Sequence, residues 1–283
     1  MNLCTNAIES PTGWVAKLNL NIQCVGGHSR LINPSHSGPL RVQKPFYPEG
    51  ASLAHLYILH PPGGVVGGDQ LYIDMLVSKN AKGLMTTPGA TKIYRSDSKK
   101  MILQHTFVVE EQATLEWLPQ ETIIFDGAFV DSTTKVNLVG DSKYIGWEIV
   151  CFGRPGAGEV FKHGLVRMNL EIWRDDLPIW LDRTVYPAET ETNSIFQAAW
   201  GLNSSPVMAT LIASSCTQQI HEALAKQHLE KGSYSTSLIE DVLVCRYIGA
   251  CSQEAKACFL EIWSQLRPKL LNRSPCPPRV WNT

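Results

Sequence analysis

The stretch His60-Pro61-Pro62-Gly63-Gly64-Val65-Val66-Gly67-Gly68-Asp69 decides how the rest of the chain is read. Alternating apolar residues flank it, His55 to Leu59 before and Leu71 to Val77 after. Period-two alternation marks half-buried strands, so the decapeptide is a shaped loop between two strands, with Asp69 at its exit. Paired glycines fit a backbone that bends twice and runs against other chain. The loop is not a phosphate cradle. No Lys follows Gly68, and Val65 and Val66 break the dinucleotide spacing.

Outward from the loop the same grammar repeats. Trp14 to Ile22 alternates, with Trp14, Ala16, Leu18, Leu20 and Ile22 on one face, and Gly26-Gly27 turns the chain. Short strands are expected at 40–42, 83–87, 101–109, 114–118, 135–139, 144–152, 166–173 and 179–185, with hairpin-like turning at Asp175-Asp176. Pro88-Gly89 and Gly153 to Gly158 are further bends. Glu148 interrupts an apolar run, which places it on a solvated face or inside a wet cavity, because an unpaired buried carboxylate is costly. Helical periodicity is confined to the last third: 217–231 with Gly232 as cap, and 252–266 with Ser252 as N-cap and Pro268 as stop. A strand at 237–248 lies between them. The fold expected is mainly β: one extended β-rich domain over 13–283 with two helices near the C-terminus, preceded by a flexible lead-in at 1–12.

The 283 residues are 44% hydrophobic and 18% charged with a net charge of −1, which is globular and argues against bulk nucleic-acid or polybasic membrane binding. Eight scattered cysteines without a Cys-x-x-Cys pair indicate reduced thiols and a cytoplasmic protein. The sequence contains neither a Gly-x-Ser-x-Gly elbow nor a His-Glu-x-x-His motif, and no histidine pair at chelating helix spacing. No catalytic residue, tightly bound cofactor or high-affinity metal centre is expected.

Seven blocks in order resemble the urease accessory protein UreD (UreH) family. They are Gly38 to Glu49, the decapeptide 60–69, Thr87 to Ser96, Leu115 to Ile123, Cys151 to Glu159, Glu171 to Asp175 and Pro278 to Thr283. The resemblance implies a β-rich body with a pair of helices. It also implies a non-enzymatic role in urease maturation: binding the urease apoprotein and UreF, reaching the GTPase UreG through UreF, and offering an internal polar passage to nickel in transit. Matching positions for that passage are Asp69, Thr91, Glu148 and Asp182, and Gln70 stands where the family often has a carboxylate. His60, Gly63, Gly64, Gly67 and Gly68 are read as the structural signature loop. Trp263 and Trp281 are candidates for the partner interface with UreF. Two other readings stay open: a scaffold through which no ion passes, and an enzyme using Glu148 or Asp69 as base beside the glycine loops.

Overall fold

A computed structural model describes residues 13–188, 194–225 and 233–282. The expected lead-in 1–12, residues 226–231 of the first expected helix, its expected cap Gly232 and the terminal Thr283 lie outside the described residues.

The chain winds between two sheets. The first contains β1 (Val15–Val25), β2 (His28–Leu31), β3 (Ser35–Ser37), β6 (Gln70–Val77), β9 (Met101–Val109), β12 (Ala128–Leu138), β14 (Gly164–Arg174) and β15 (Leu177–Pro187). Its order is β15-β14-β12-β9-β6-β1-β2, with β3 also on β1. The second contains β4 (Arg41–Val42), β5 (Ala54–Leu59), β7 (Lys82–Thr86), β8 (Thr91–Ile93), β10 (Thr114–Trp117), β11 (Thr122–Ile124), β13 (Lys143–Phe152), β16 (Val207–Ala213), β17 (Ser233–Ile239) and β18 (Val242–Gly249). Its order is β17-β18-β16-β13-β10-β7-β5-β4, with β11 on β13 and β8 on β11.

From β5 to β14 successive winds deliver strands alternately to the two sheets, so neighbours within each sheet are parallel. In the first sheet, hairpins form where short turns allow them, at Gly26-Gly27 and at Asp175-Asp176.

The alternation in the sequence finds its cause in this layering. Ala16, Leu18, Leu20 and Ile22 of β1 point into the inter-sheet core, while Trp14, ahead of the strand, stays 59% exposed. Strand β13 is buried on both faces. Tyr144, Val150 and Phe152 join the inter-sheet core; Ile145, Trp147 and Ile149 join a second core beneath the helices. That is why 144–152 reads as an apolar run rather than an alternation. Glu148 has the parity of the inter-sheet face.

The helices are α1 (Gln218–Ala225) and α2 (Ser252–Leu271). Helix α2 lays Phe259, Ile262, Trp263 and Leu266 on the outer face of the second sheet. It does not stop at Pro268. The ring projects from the exposed side of the last turn, and left-handed Asn272 ends the helix. Cys251, not Ser252, is the N-cap residue. The expected strand at 237–248 is instead the hairpin β17–β18, turned at Glu240, which has positive φ.

A candidate site in the inter-sheet cavity

The decapeptide is a clasp. The backbone of Val65 bonds to both neighbours of Ile93, with Val65 N–H to Lys92 O at 2.8 Å and Tyr94 N–H to Val65 O at 2.9 Å. A Cβ on Gly64 would stand 2.3 Å from the Tyr94 ring, so only glycine lets the loop lie there. Asp69 accepts the N–H of Trp14 at 2.8 Å and the N–H of Val66 at 3.0 Å. It is buried and faces its own loop, outside the cavity lining.

Between the sheets lies a cavity of about 520 Å³. The second sheet is interrupted there: β7 gives way to β8 at 87–90, and β10 to β11 at 118–121. Pro88 and Pro119 fall in these gaps, since proline cannot donate to a sheet ladder. Thr87, Pro88, Thr91, Pro119 and Gln120 line the cavity on this side, and His60, Gly63 and Gly64 line it from the clasp. The remaining walls are mostly apolar, including Ile73, Leu103, Trp117 and Val150.

Glu148 enters from β13. Its Oε1 accepts the hydroxyl of Thr134 at 2.7 Å, and that hydroxyl oxygen lies 3.1 Å from His105 Nδ1. His105 and Thr134 are register partners on β9 and β12. Glu148, His105 and Ser132 all face the cavity. Burial pushes the Glu148 carboxyl up to about 7; the Thr134 bond opposes that and the nearby charge of Asp182 adds to it. Burial alone pulls the His105 imidazole down to about 4, so it is neutral at pH 7. His60 Nε2 is buried without a hydrogen-bond partner among the described residues, and burial lowers this imidazole as well, against the pull of Asp69.

The polar row continues to the edge of the sandwich. Glu148 registers with Thr210 on β16, and Thr210 with Arg246 on β18. Arg246 Nη2 reaches across to Asp182 Oδ2 on β15 at 2.6 Å. The row therefore ends in an ion pair joining the two sheets, with the Arg246 side chain 51% exposed.

Of the four positions expected to line a passage, the fold brings Thr91 and Glu148 into one cavity. Asp182 stands at the end of the Glu148 row, and Asp69 holds the clasp. Trp263 is not at a surface. It is 1% exposed and its indole N–H donates to Glu116 at 2.7 Å, because the apolar face of α2 turns toward the sheet. Trp281 is half-buried, tilted against Trp147 and edge-on to Trp263, with its N–H on Thr86 Oγ1 at 2.8 Å.

Sequence reasoning passed over His105, Thr134 and Arg246. It also passed over a buried network under α2, in which Arg267 binds Glu116 at 3.0 Å and Glu49 at 2.7 Å, and Glu49 binds His55 at 2.7 Å. The donor set of the cavity is sparse and mixed. It combines one carboxylate, imidazole nitrogens and hydroxyls. No group of three or more His, Cys, Asp or Glu side chains among the described residues is placed to hold a metal ion.

A family profile described as UreD urease accessory protein matches residues 15–282. The chain is 41% identical over 279 residues to a protein named urease accessory protein UreD from Alcanivorax borkumensis, covering 96% of this chain and 93% of that one. It is 41% identical to UreD 2 of Brucella anthropi, covering 96% and 99%, and 38% identical to UreD of a Nostoc species, covering 96% and 97%.

Proposed function

Because the chain belongs to the UreD urease accessory protein family, we propose that it acts in urease maturation as a non-enzymatic scaffold and conduit. In this reading it binds the urease apoprotein and UreF, and reaches UreG through UreF. Nickel, as cargo, passes through the inter-sheet cavity toward the apoprotein. Trp281, which keeps part of its surface, and the outward face of α2 are the contact proposed for UreF.

One observation carries the conduit reading: Glu148 stands in a largely apolar cavity with, among the described residues, a single side-chain hydrogen bond, from Thr134. A carboxylate kept purely for structure would be paired more fully, since an under-satisfied buried charge is costly. A passage needs such a group, favourable enough for an ion to enter and weak enough for it to leave. Thr91 near the strand break and Asp182 at the far edge extend the polar path.

The test is urease maturation in cells carrying the matching urease and accessory genes, with this chain intact, deleted or bearing Glu148→Gln. Pull-down of UreF and urease with the variant should remain as with the intact chain. Nickel content and activity of the urease should fall together. Normal nickel loading with Glu148→Gln would leave the scaffold role and remove the conduit.

A further inference from the structure

The second sheet has a window beside Glu148. Strand β13 pairs with β10 as far as Gly146, opposite Trp117, and with β11 only from Val150, opposite Thr122. Residues 147–149 have no ladder partner on that side among the described residues, and Glu148 is the middle one. Pro119 and Gln120 occupy the break and line the cavity. Both also reach the outer side of the sheet. Pro119 O accepts the Trp147 indole N–H at 2.8 Å, and Gln120 Oε1 accepts from Lys256 Nζ of α2. The Lys256 nitrogen stands 5.0 Å from the centroid of the Trp281 ring. Trp281 is seated in turn by its N–H on Thr86 Oγ1 at 2.8 Å and by Trp147, 5.9 Å away between centroids. One glutamine therefore touches both the cavity that holds Glu148 and a tethered cation outside it.

We propose that Lys256 is a gate of this cavity: its ammonium, seated on Trp281 and Gln120, stands over the window and repels cations from Glu148 until it is moved. The proposal rests on the conduit reading and names a mouth for it. Lys256 is held unlike Arg267, which is paired with two carboxylates. Among the described residues Lys256 makes no ion pair; its partners are a neutral amide and an aromatic face. Burial pulls its ammonium down, against the charge of Glu121. Neutral partners return little of the cost of taking a charge partly out of water, so this placement is a poor device for fixing α2. It is a suitable barrier. A fixed positive charge at a constriction excludes cations from a pore and lets neutral molecules by. A divalent ion meets twice the repulsion that a monovalent one does. The barrier is also removable. The lysine stem is flexible, and its head rests on the ring of Trp281. A partner that engaged Trp281 would take the seat away, so docking there and opening would be one event.

The experiment uses the full chain with ¹³C-labelled Ile, Leu and Val methyl groups; Ile73, Leu103, Val130 and Val150 report from the cavity, and Val160 and Leu177 from the surface. Two paramagnetic probes are compared, neutral dissolved oxygen and NiCl₂. In the wild type, oxygen should relax the cavity methyls, while NiCl₂ should broaden the surface methyls and leave the cavity ones sharp. In Lys256→Met, which keeps the stem and removes the charge, nickel broadening of the cavity methyls should rise at least about 10-fold, as loss of a unit charge close to a divalent ion predicts. Lys256→Arg should behave as wild type, and Trp281→Ala should admit nickel. The oxygen effect in Lys256→Met should not change. Nickel that broadens wild-type cavity and surface methyls alike overturns the gate, and so does equal nickel broadening in wild type and Lys256→Met. A matching rise for oxygen and nickel also overturns it, since the lysine would then only fill space. The two-probe comparison in the wild type needs no variant. If the gate fails while Glu148→Gln still starves urease of nickel, the conduit stands without it. If Lys256→Met admits nickel but neither variant alters nickel loading of urease, the gate is real and the conduit reading falls.

Discussion

Two polar clusters lie inside this chain, one fully buried and one around a cavity, and they are built to opposite rules. Under α2, Arg267 is fully buried and spends its guanidinium on Glu116, Glu49 and the carbonyl of Ser274. Glu116 also accepts from Trp263, and Glu49 also meets His55. In the inter-sheet cavity, among the described residues, Glu148 has one hydroxyl, His105 has one of its two nitrogens engaged, and His60 Nε2 has no partner. The first cluster satisfies its charges, leaving His55 Nδ1 as its unpartnered atom among the described residues, and fixes a helix to a sheet. The second leaves donors and acceptors open toward a void. Satisfied buried charge marks architecture, and unsatisfied buried polarity around a cavity marks a place where something else is meant to bind.

The largest effect should come from breaking the satisfied cluster. Arg267→Met strips the counter-charge from two buried carboxylates and should cost about 3–5 kcal/mol in urea denaturation, as removal of one partner from a buried pair does. The pH dependence should change with it. Burial pushes the Glu49 carboxyl up, but hydrogen bonds from His55 and Arg267 and the charge of Arg267 outweigh it and hold it at about 2, against an ordinary 4.5. A carboxyl depressed by folding stabilises fully above its unfolded value, so wild-type stability should fall as pH drops from about 4.5 to about 2. In Arg267→Met that slope should flatten. A loss under about 1 kcal/mol would place this cluster with the dispensable surface pairs.

Asp69 resembles the satisfied cluster, although its motif invites a functional reading. Asp69→Ala frees the amides of Trp14 and Val66 and should cost about 2–3 kcal/mol, while Asp69→Asn should lose roughly half of that. Faster hydrogen exchange at the Val66 amide would locate the damage in the clasp. Any loss of urease activation in Asp69→Ala should then come with loss of complex assembly, unlike Glu148→Gln. Unchanged stability and exchange would return Asp69 to the passage.

What the sequence made legible follows from which signals are local. Strand alternation, the turns at Gly26-Gly27 and Asp175-Asp176, the two C-terminal helices and the oddity of Glu148 are all written in neighbouring residues. The parallel winding is not, because register between β6, β9 and β12 is set by strands some thirty residues apart. His105 and Thr134 were nonetheless within reach. In Met101, Leu103, His105, Phe107, Val109 the third inward residue is polar, and in Ala128, Val130, Ser132, Thr134, Val136 the third and fourth are. Polar residues at inward parity on two strands signal an interior polar site. Arg267 and Trp263 stand where no single-strand or single-helix pattern reveals a partner, since Glu116 lies 151 and 147 residues away. Helical periodicity placed Trp263 on the apolar stripe, and that stripe faces inward.

The smallest effect, and the most discriminating, is one of opposite sign. Folding raises the Glu148 carboxyl to about 7 from an ordinary 4.5, chiefly by burial, so the folded protein holds a proton the unfolded chain has released. For a raised acid, stability declines as pH climbs from about 4.5 to about 7, and the full cost is present above that. Glutamine is neutral at every pH, nearly the same shape, and still offers an oxygen to Thr134. Glu148→Gln should therefore stabilise the fold by on the order of 1–3 kcal/mol at pH 8, with the gain vanishing below about pH 4.5. Urea denaturation of the variant and wild type across pH 4 to 8 measures this directly. A residue that costs stability where it is charged would be retained for another reason, and under the conduit reading that reason is the cavity it faces. If Glu148→Gln instead destabilises the protein at pH 8 as Arg267→Met does, the two clusters obey one rule and Glu148 is architecture.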